Sequence, residues 1–368
     1  MKRPAWICAL ALIAAVAPPA SAQTTRIATE TVAVFEAPCA VAPLPGGGFL
    51  VTEKAGQLVL VDAEGDRRRV AGVPAVRAAG QTGLHDVALA PDFAQSGLVY
   101  LTWVAGDDGG ALHLGRGRLD RAASPPRLEG FETLWRADPS GGRGHPGAII
   151  AFGPDGHLFL TSGDRQLGDP AQVLDDARGK ILRLTAQGRP APGNPFPEAP
   201  AVWSHGHRNP YGLAFDAAGR LWSHEMGPRG GDELNLITPG ANYGWPAVSE
   251  GRHYSGWPIP GHDSRADVVA PVLHWTPVIA PAGMIIYDGA AFPDWRGSAL
   301  IGGLRAEALV RVHLSDGQSP ADTPARAQEV ERLPLGTRIR DVAADAAGAV
   351  YVLEDGPRAR LLRLTPEK

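Results

Sequence analysis

One phrase recurs along this chain: an apolar pair, a turn built from Pro, Asp or Gly, an apolar alternating strand, and a polar stop. It is written at 41–53 as Val41-Ala-Pro-Leu-Pro-Gly-Gly-Gly-Phe-Leu-Val-Thr-Glu, and again at 87–102, 149–164 and 212–225. A looser copy spans 283–304, and the last runs over 342–355. Gly supplies the positive φ that a tight hairpin turn needs. Val, Leu, Phe and Tyr alternate with small or polar residues at the strand period of two. Further strand pairs, such as 180–185 and 308–314, follow several copies, so each unit predicts about four strands. Six such units closing in a ring make an all-β, six-bladed β-propeller, which leaves only short protected edges. The copies lie about 40 to 70 residues apart, longer than a plain propeller repeat, so loops are inserted between strands. A pair of β-sandwiches is the competing architecture, and it does not account for six similar phrases.

The chain opens Met1-Lys-Arg, runs apolar from Ala5 to Ala20, and carries Ala20-Ser21-Ala22 before Gln23. A short basic region, an apolar core and an A-x-A site predict a cleaved secretory signal over 1–22. Residues 23–368 then form one propeller domain, expected to be periplasmic or secreted. No later stretch is long and apolar enough to span a membrane. Without Lys2 and Arg3 the chain has 33 basic against 39 acidic residues, and no basic run or basic–aromatic alternation points to nucleic acid. Cys8 leaves with the signal, so Cys39 stands alone and forms no internal disulfide. It is expected to pack as a small apolar residue.

The unusual polar residues precede the repeat phrases, where loops should face the central channel: Gln81–Asp86, Gly142–Gly147, His207–Asn209 and Arg338–Asp341. His145 is the candidate general base, because histidine exchanges protons near neutral pH and glycines flank its loop. A hydrogen-bonded structural His is the alternative there. His85, His205, His207 and His253 read as structural or rim residues and lack zinc-ligand spacing. Arg208, Arg338 and Arg340 form a candidate anion clamp. Arg338 and Arg340 share one face of a strand, which is costly unless something anionic lies between them. Glu225, Gly227, Pro228, Asp232, Glu233 and the 240–244 turn offer oxygens for a Ca²⁺ cage. Trp245, Tyr254, Trp257 and Trp275 are candidates for stacking on a sugar. A polycarboxylate quinone held on Ca²⁺ beside a base would suit redox chemistry.

At these residues the chain resembles the soluble PQQ-dependent aldose sugar dehydrogenases of the wider glucose/sorbosone dehydrogenase family. The shared phrases include Phe152-Gly-Pro-Asp-Gly, Gly179-Lys-Ile-Leu-Arg, Gly206-His-Arg-Asn-Pro-Tyr-Gly-Leu, Glu225-Met-Gly-Pro-Arg-Gly-Gly-Asp-Glu-Leu-Asn and Asn242-Tyr-Gly-Trp-Pro, in that order across nearly the whole mature chain. The resemblance implies a propeller that binds PQQ above its channel and oxidises an aldose at the anomeric C1 hydroxyl to the lactone. Electrons would pass to a quinone or small soluble acceptor. His145 matches the base, and Gln81, Arg208, Asn209, Arg305, Arg338 and Arg340 match cofactor contacts, with Arg208 also polarising the quinone oxygen. Gly227 and Pro228 match carbonyl ligands of the cofactor's Ca²⁺, and Glu233 with the Tyr243 carbonyl matches a second Ca²⁺ site. A monomer or weak dimer is expected. The chain departs from the pattern at Arg305, where Lys is usual, at Gly144, where some glucose-oxidising members carry an acid, and at Cys39, where Trp is usual. Two other readings use the same residues: a Ca²⁺-dependent lactonase-type hydrolase, and a non-catalytic propeller that binds a glycan or protein.

Overall fold

The computed structural model describes residues 25–315 and 325–367, and the expected signal segment lies outside them. The described residues form six four-stranded antiparallel sheets in a ring, a six-bladed β-propeller. The first strand, β1 (Ile27–Phe35), is reserved for the last blade. Blade one is β2 (Pro38–Pro43), β3 (Phe49–Glu53), β4 (Gln57–Val61) and β5 (Arg67–Val70). Blade two is β6 (Leu84–Leu89), β7 (Leu98–Ala105), β8 (Ala111–Asp120) and β9 (Arg127–Arg136). Blade three is β10 (Gly147–Phe152), β11 (Leu158–Ser162), β12 (Lys180–Leu184) and β13 (Val202–His205). Blade four is β14 (Pro210–Phe215), β15 (Leu221–Glu225), β16 (Asp232–Ile237) and β17 (Leu273–Trp275). Blade five is β18 (Pro281–Ile286), β19 (Ser298–Gly303), β20 (Ala308–Ser315) and β21 (Arg326–Pro334). Blade six is β22 (Ile339–Ala344), β23 (Val350–Glu354) and β24 (Ala359–Pro366), completed by β1, whose Ile27 pairs with Pro366 and Phe35 with Ala359.

Each repeat phrase is the hairpin of the two inner strands of a blade. The innermost strands β2, β6, β10, β14, β18 and β22 touch in that order, and β22 touches β2, so the ring closes. Blades pack face to face, so most inner strands are buried on both sides and read as near-continuous apolar runs. One apolar cluster fills each of the six gaps. Leu50, Leu58 and Leu60 meet Leu101 and Trp103 between blades one and two, and Trp222 and Leu234 meet Met284, Ile301 and Val310 between blades four and five. Truncating one of these leucines to Ala would cost about 2–5 kcal/mol. The inserted loop 238–272, between β16 and β17, carries Tyr243, Trp245 and Tyr254 toward the axis end described next. No helix among the described residues is long and apolar enough to cross a membrane.

The repeat phrase does not predict one feature shared by all six blades. At the start of every innermost strand the pairing slips, and that strand carries one extra residue relative to its partner. The slips fall between Pro38 and Ala40, Leu84 and Val87, Gly147 and Ile150, Pro210 and Gly212, Ala282 and Met284, and Ile339 and Asp341. A β-bulge bends its strand and re-aims a side chain. Here the bulges turn Cys39, His85, Tyr211 and Arg340 to one end of the axis, where all four line a common cavity.

Candidate active site

The loops that lead into the innermost strands meet at that end around a cavity of about 550 Å³. Gln81, His145, Arg208, Asn209, Gly227, Pro228, Arg338 and Arg340 all line it, drawn from blades two, three, four and six. Cys39, Tyr211 and Arg340 also border a narrower channel of about 230 Å³ running down the axis, and so form the neck between the two spaces. Lys54, Arg208, Arg338 and Arg340 set cations around the cavity, against the carboxylates of Asp232 and Asp355. That balance suits a polyanion.

His145 sits just before β10 with φ of +43°, a left-handed conformation that costs a non-glycine residue about 1–3 kcal/mol unless its surroundings impose it. They do. Gln81 Oε1 accepts from the His145 backbone N–H at 2.8 Å. The buried Arg165 guanidinium donates to the carbonyls of Gly144 at 3.0 Å and Gly109 at 2.7 Å, cinching the loop. Asp164 Oδ1 accepts from His145 Nδ1 at 2.7 Å, and its Oδ2 accepts from Trp245 Nε1 at 2.8 Å. Asp164 thereby fixes the ring with the proton on Nδ1 and leaves Nε2 as the free lone pair of a residue that lines the cavity. A side chain at Gly144 would put its Cβ 2.4 Å from Gln81 Oε1 and 2.6 Å from Gln166 Nε2, so an acid there would have to displace the two glutamine side chains that now occupy the space.

Arg208 is buried and held from several sides. Its Nη1 donates to Met226 O at 2.7 Å, its Nη2 donates to Tyr254 Oη at 3.1 Å, and its guanidinium lies 5.2 Å over the Trp245 ring. Glu225, at the end of β15, accepts from the backbone N–H groups of Arg208 and Asn209 and from His207 Nδ1 at 3.0 Å. Asn209 Oδ1 in turn accepts from Gly147 N at 3.1 Å, tying the loops of blades three and four together. In blade six, Asp355 lies between Arg338 and Arg340, with Oδ2 2.7 Å from Arg338 Nε and Oδ1 2.6 Å from Arg340 Nη2. The anion that the pair of arginines requires is thus supplied in part by the protein itself.

Gly227 and Pro228 line the cavity beside Asp232, and neither carbonyl accepts a hydrogen bond from a described residue. The turn is tight: a Cβ on Gly227 would lie 2.2 Å from Gly230 O. Burial holds the Asp232 carboxyl up at about 6, although three backbone N–H groups donate to it. Free carbonyls beside a carboxylate fit a hard cation such as Ca²⁺. Glu233 and Tyr243 do not. The Tyr243 carbonyl already accepts from His262 Nε2 at 3.2 Å, and that nitrogen lies 4.0 Å from Glu233 Oε1. His262 Nδ1 meets Glu250 Oε1 at 2.9 Å, so an imidazole bridges the position expected for a second Ca²⁺. The space left there, about 10 Å³, is at the lower limit for one water molecule.

Other sequence candidates lie elsewhere. Arg305 is exposed on the turn after β19, and Leu304 is the residue of that turn that lines the cavity. Trp275 is buried between blades four and five and donates to Glu329 Oε2 at 2.7 Å, so it belongs to the core. Trp257 is exposed and lines no part of the cavity, whereas Tyr254 does. Cys39 is half-buried at the neck rather than packed away, and burial pushes its thiol up to about 11. His207 is structural, buried between Ser204 and Glu225 and stacked on Tyr243. Sequence reasoning did not single out Asp164, Asp355 or Lys54. The first two were visible as the polar stops of their repeat phrases, but nothing showed that those stops reach back to brace the lead-in loops.

The profile of the family described as Glucose / Sorbosone dehydrogenase matches residues 35–363. The chain belongs to this family. It is 38% identical over 343 residues to the aldose sugar dehydrogenase YliI of Escherichia coli (strain K12), covering 89% of this chain and 90% of that protein. It is 27% identical to quinoprotein glucose dehydrogenase B of Acinetobacter calcoaceticus, covering 84% of this chain and 81% of that one. Among solved structures, the PQQ-bound aldose sugar dehydrogenase of Streptomyces coelicolor superimposes with a TM-score of 0.76 at 33% identity, covering 95% of this chain and all of that one.

Proposed function

We propose that this protein is a PQQ-dependent aldose dehydrogenase that oxidises the anomeric C1 hydroxyl of a sugar to the lactone and passes the electrons to a quinone or a small soluble carrier. The observation that carries the reading is His145, its Nδ1 held by Asp164 and its Nε2 free, at the wall of a cavity ringed by cations. Membership of the family and the similarity to a PQQ-bound relative support it. PQQ, when bound, supplies a two-electron quinone acceptor that carries carboxylates. Lys54, Arg338 and Arg340 would hold those carboxylates, and the Gly227 and Pro228 carbonyls would hold its Ca²⁺. His145 Nε2 takes the proton of the C1 hydroxyl, and Asp164 stabilises the imidazolium that results. Arg208, anchored by Met226 O and Tyr254 Oη, presents fixed positive charge where negative charge develops. The signal-like segment supports a periplasmic or secreted location, which amino-terminal sequencing of the exported protein would check.

The test is dye-linked aldose oxidation by the purified mature protein with PQQ and Ca²⁺ added. Activity should need both additions and fall at least about a hundredfold in His145→Ala, the usual scale for losing a general base. Absence of activity, with no PQQ retained through gel filtration, would overturn the reading.

A further inference from the structure

His85 is 3% exposed and lines the floor of the cavity, yet neither of its ring nitrogens has a hydrogen-bond partner. Among the described residues it is the one imidazole with both nitrogens buried and unpartnered. Its backbone is not loose: Thr52 Oγ1 donates to His85 O, and the Leu84 N–H donates to Lys54 O at 3.1 Å. The bulge of β6 places the ring at the cavity floor, close to the neck formed by Cys39, Tyr211 and Arg340. Burial, then the charges of Arg165, Arg340 and Lys54, push its pKa down to about 3, so the ring is neutral and offers one N–H donor and one acceptor. Leaving such groups buried and unmatched costs about 1–3 kcal/mol each. Neither nitrogen is open to the cavity as the ring stands, so a partner that arrives with the ligand removes that cost once the ring turns toward it.

We propose that His85 is a binding residue for the polycarboxylate cofactor, donating a ring N–H to it from the cavity floor. This rests on the reading above. It sets His85 apart from the other groups of the site: His145, Arg208 and Arg340 have protein partners that hold them in place before any ligand binds, whereas His85 acquires its partner only on binding.

The experiment titrates the PQQ-free protein with PQQ in the presence of Ca²⁺, following tryptophan quenching and equilibrium dialysis, and measures urea unfolding of the PQQ-free protein in parallel. His85→Leu should bind PQQ about tenfold more weakly, the scale of one hydrogen bond to a charged group. The same variant should unfold at the same or higher urea concentration, because it removes two unmatched polar atoms. His85→Gln, which restores an N–H, should bind within about threefold of the parent. The ¹⁵N resonances of the His85 ring should shift when PQQ binds. Equal PQQ affinity in the parent and His85→Leu overturns this inference and leaves the proposed function standing. Parallel loss of stability and affinity in His85→Leu and His85→Gln also overturns it, since that is the behaviour of a structural histidine. Failure of the parent itself to bind PQQ overturns both.

Discussion

Arg340 and His85 occupy the same place in blades six and two, each turned to the axis by the bulge at the start of an innermost strand. Their surroundings differ. Arg340 is gripped by Asp355 through Nε at 2.9 Å and Nη2 at 2.6 Å, and its guanidinium lies 5.8 Å over the Tyr211 ring. His85 is buried with nothing to bond to. The source of the difference is the strand next door. β23 is followed by Asp355, just as β15 ends in Glu225 and β11 leads to Asp164, and each carboxylate reaches back to the loop or bulge of its own blade. β7 runs on through Val104 and Ala105, so blade two has no such carboxylate. Repetition sets where a residue points, and the residue across the hairpin decides whether it is fixed before a ligand arrives.

The comparison breaks most visibly by making blade six resemble blade two. Arg340→Leu leaves Asp355 with Arg338 alone, and urea unfolding should show a loss of about 2 kcal/mol, less than the full cost of orphaning a buried charge because one partner remains. PQQ binding should weaken in the same variant. Next comes the brace of blade three. Asp164→Asn should lower kcat of dye-linked oxidation about a hundredfold while the affinity for PQQ changes little, because a neutral amide carries no charge to stabilise the His145 imidazolium. The smallest effect concerns a feature the two blades share. Asp86 and Asp341 follow the bulge residues and face the channel, each accepting a backbone N–H from the next blade, from Ile150 at 2.7 Å and Val41 at 2.8 Å. Burial raises them to about 6 and about 8. A carboxyl with a raised folded pKa binds more protons folded than unfolded between about pH 4 and that raised value, so stability falls as pH climbs through the interval. Asp341→Asn should flatten that decline, and Asp86→Asn should do so to a lesser extent, in unfolding curves taken at pH 5 and pH 8.

The ring was legible because each blade repeats an alternation of period two around a Gly-rich turn, and the polar residues before each phrase do gather at one end of the axis. The bulges were not legible, since an extra residue exists only relative to a partner strand, and no phrase such as Leu84-His-Asp-Val marks one. Trp275 illustrates a related limit. An aromatic residue near a candidate site can stack on a sugar or fill a core, and only the packing against Met284 and Val310 tells which. At the expected second Ca²⁺ position, Glu233 and Tyr243 carry the family pattern, but the residue that meets them, His262, comes from a distant point of the 238–272 insertion. Arg305 keeps the charge expected of its position, yet the turn after β19 directs Leu304 rather than Arg305 to the cavity.

Pairing β1 with β24 makes blade six a latch whose halves are the first and last described strands. Three of its four strands lie beyond residue 338, so a chain cut short there lacks the wedge between blades five and one. Their faces would lose the Tyr351, Leu353 and Leu361 side chains that cover Val51 and Val59 on one side, and Val350 and Val352 that cover Leu300 and Leu309 on the other. β1 itself would be left as an unpaired edge open to other chains. The circle therefore closes only when β24 is present to take up β1, and a copy lacking it is marked as such by the sticky surface it exposes.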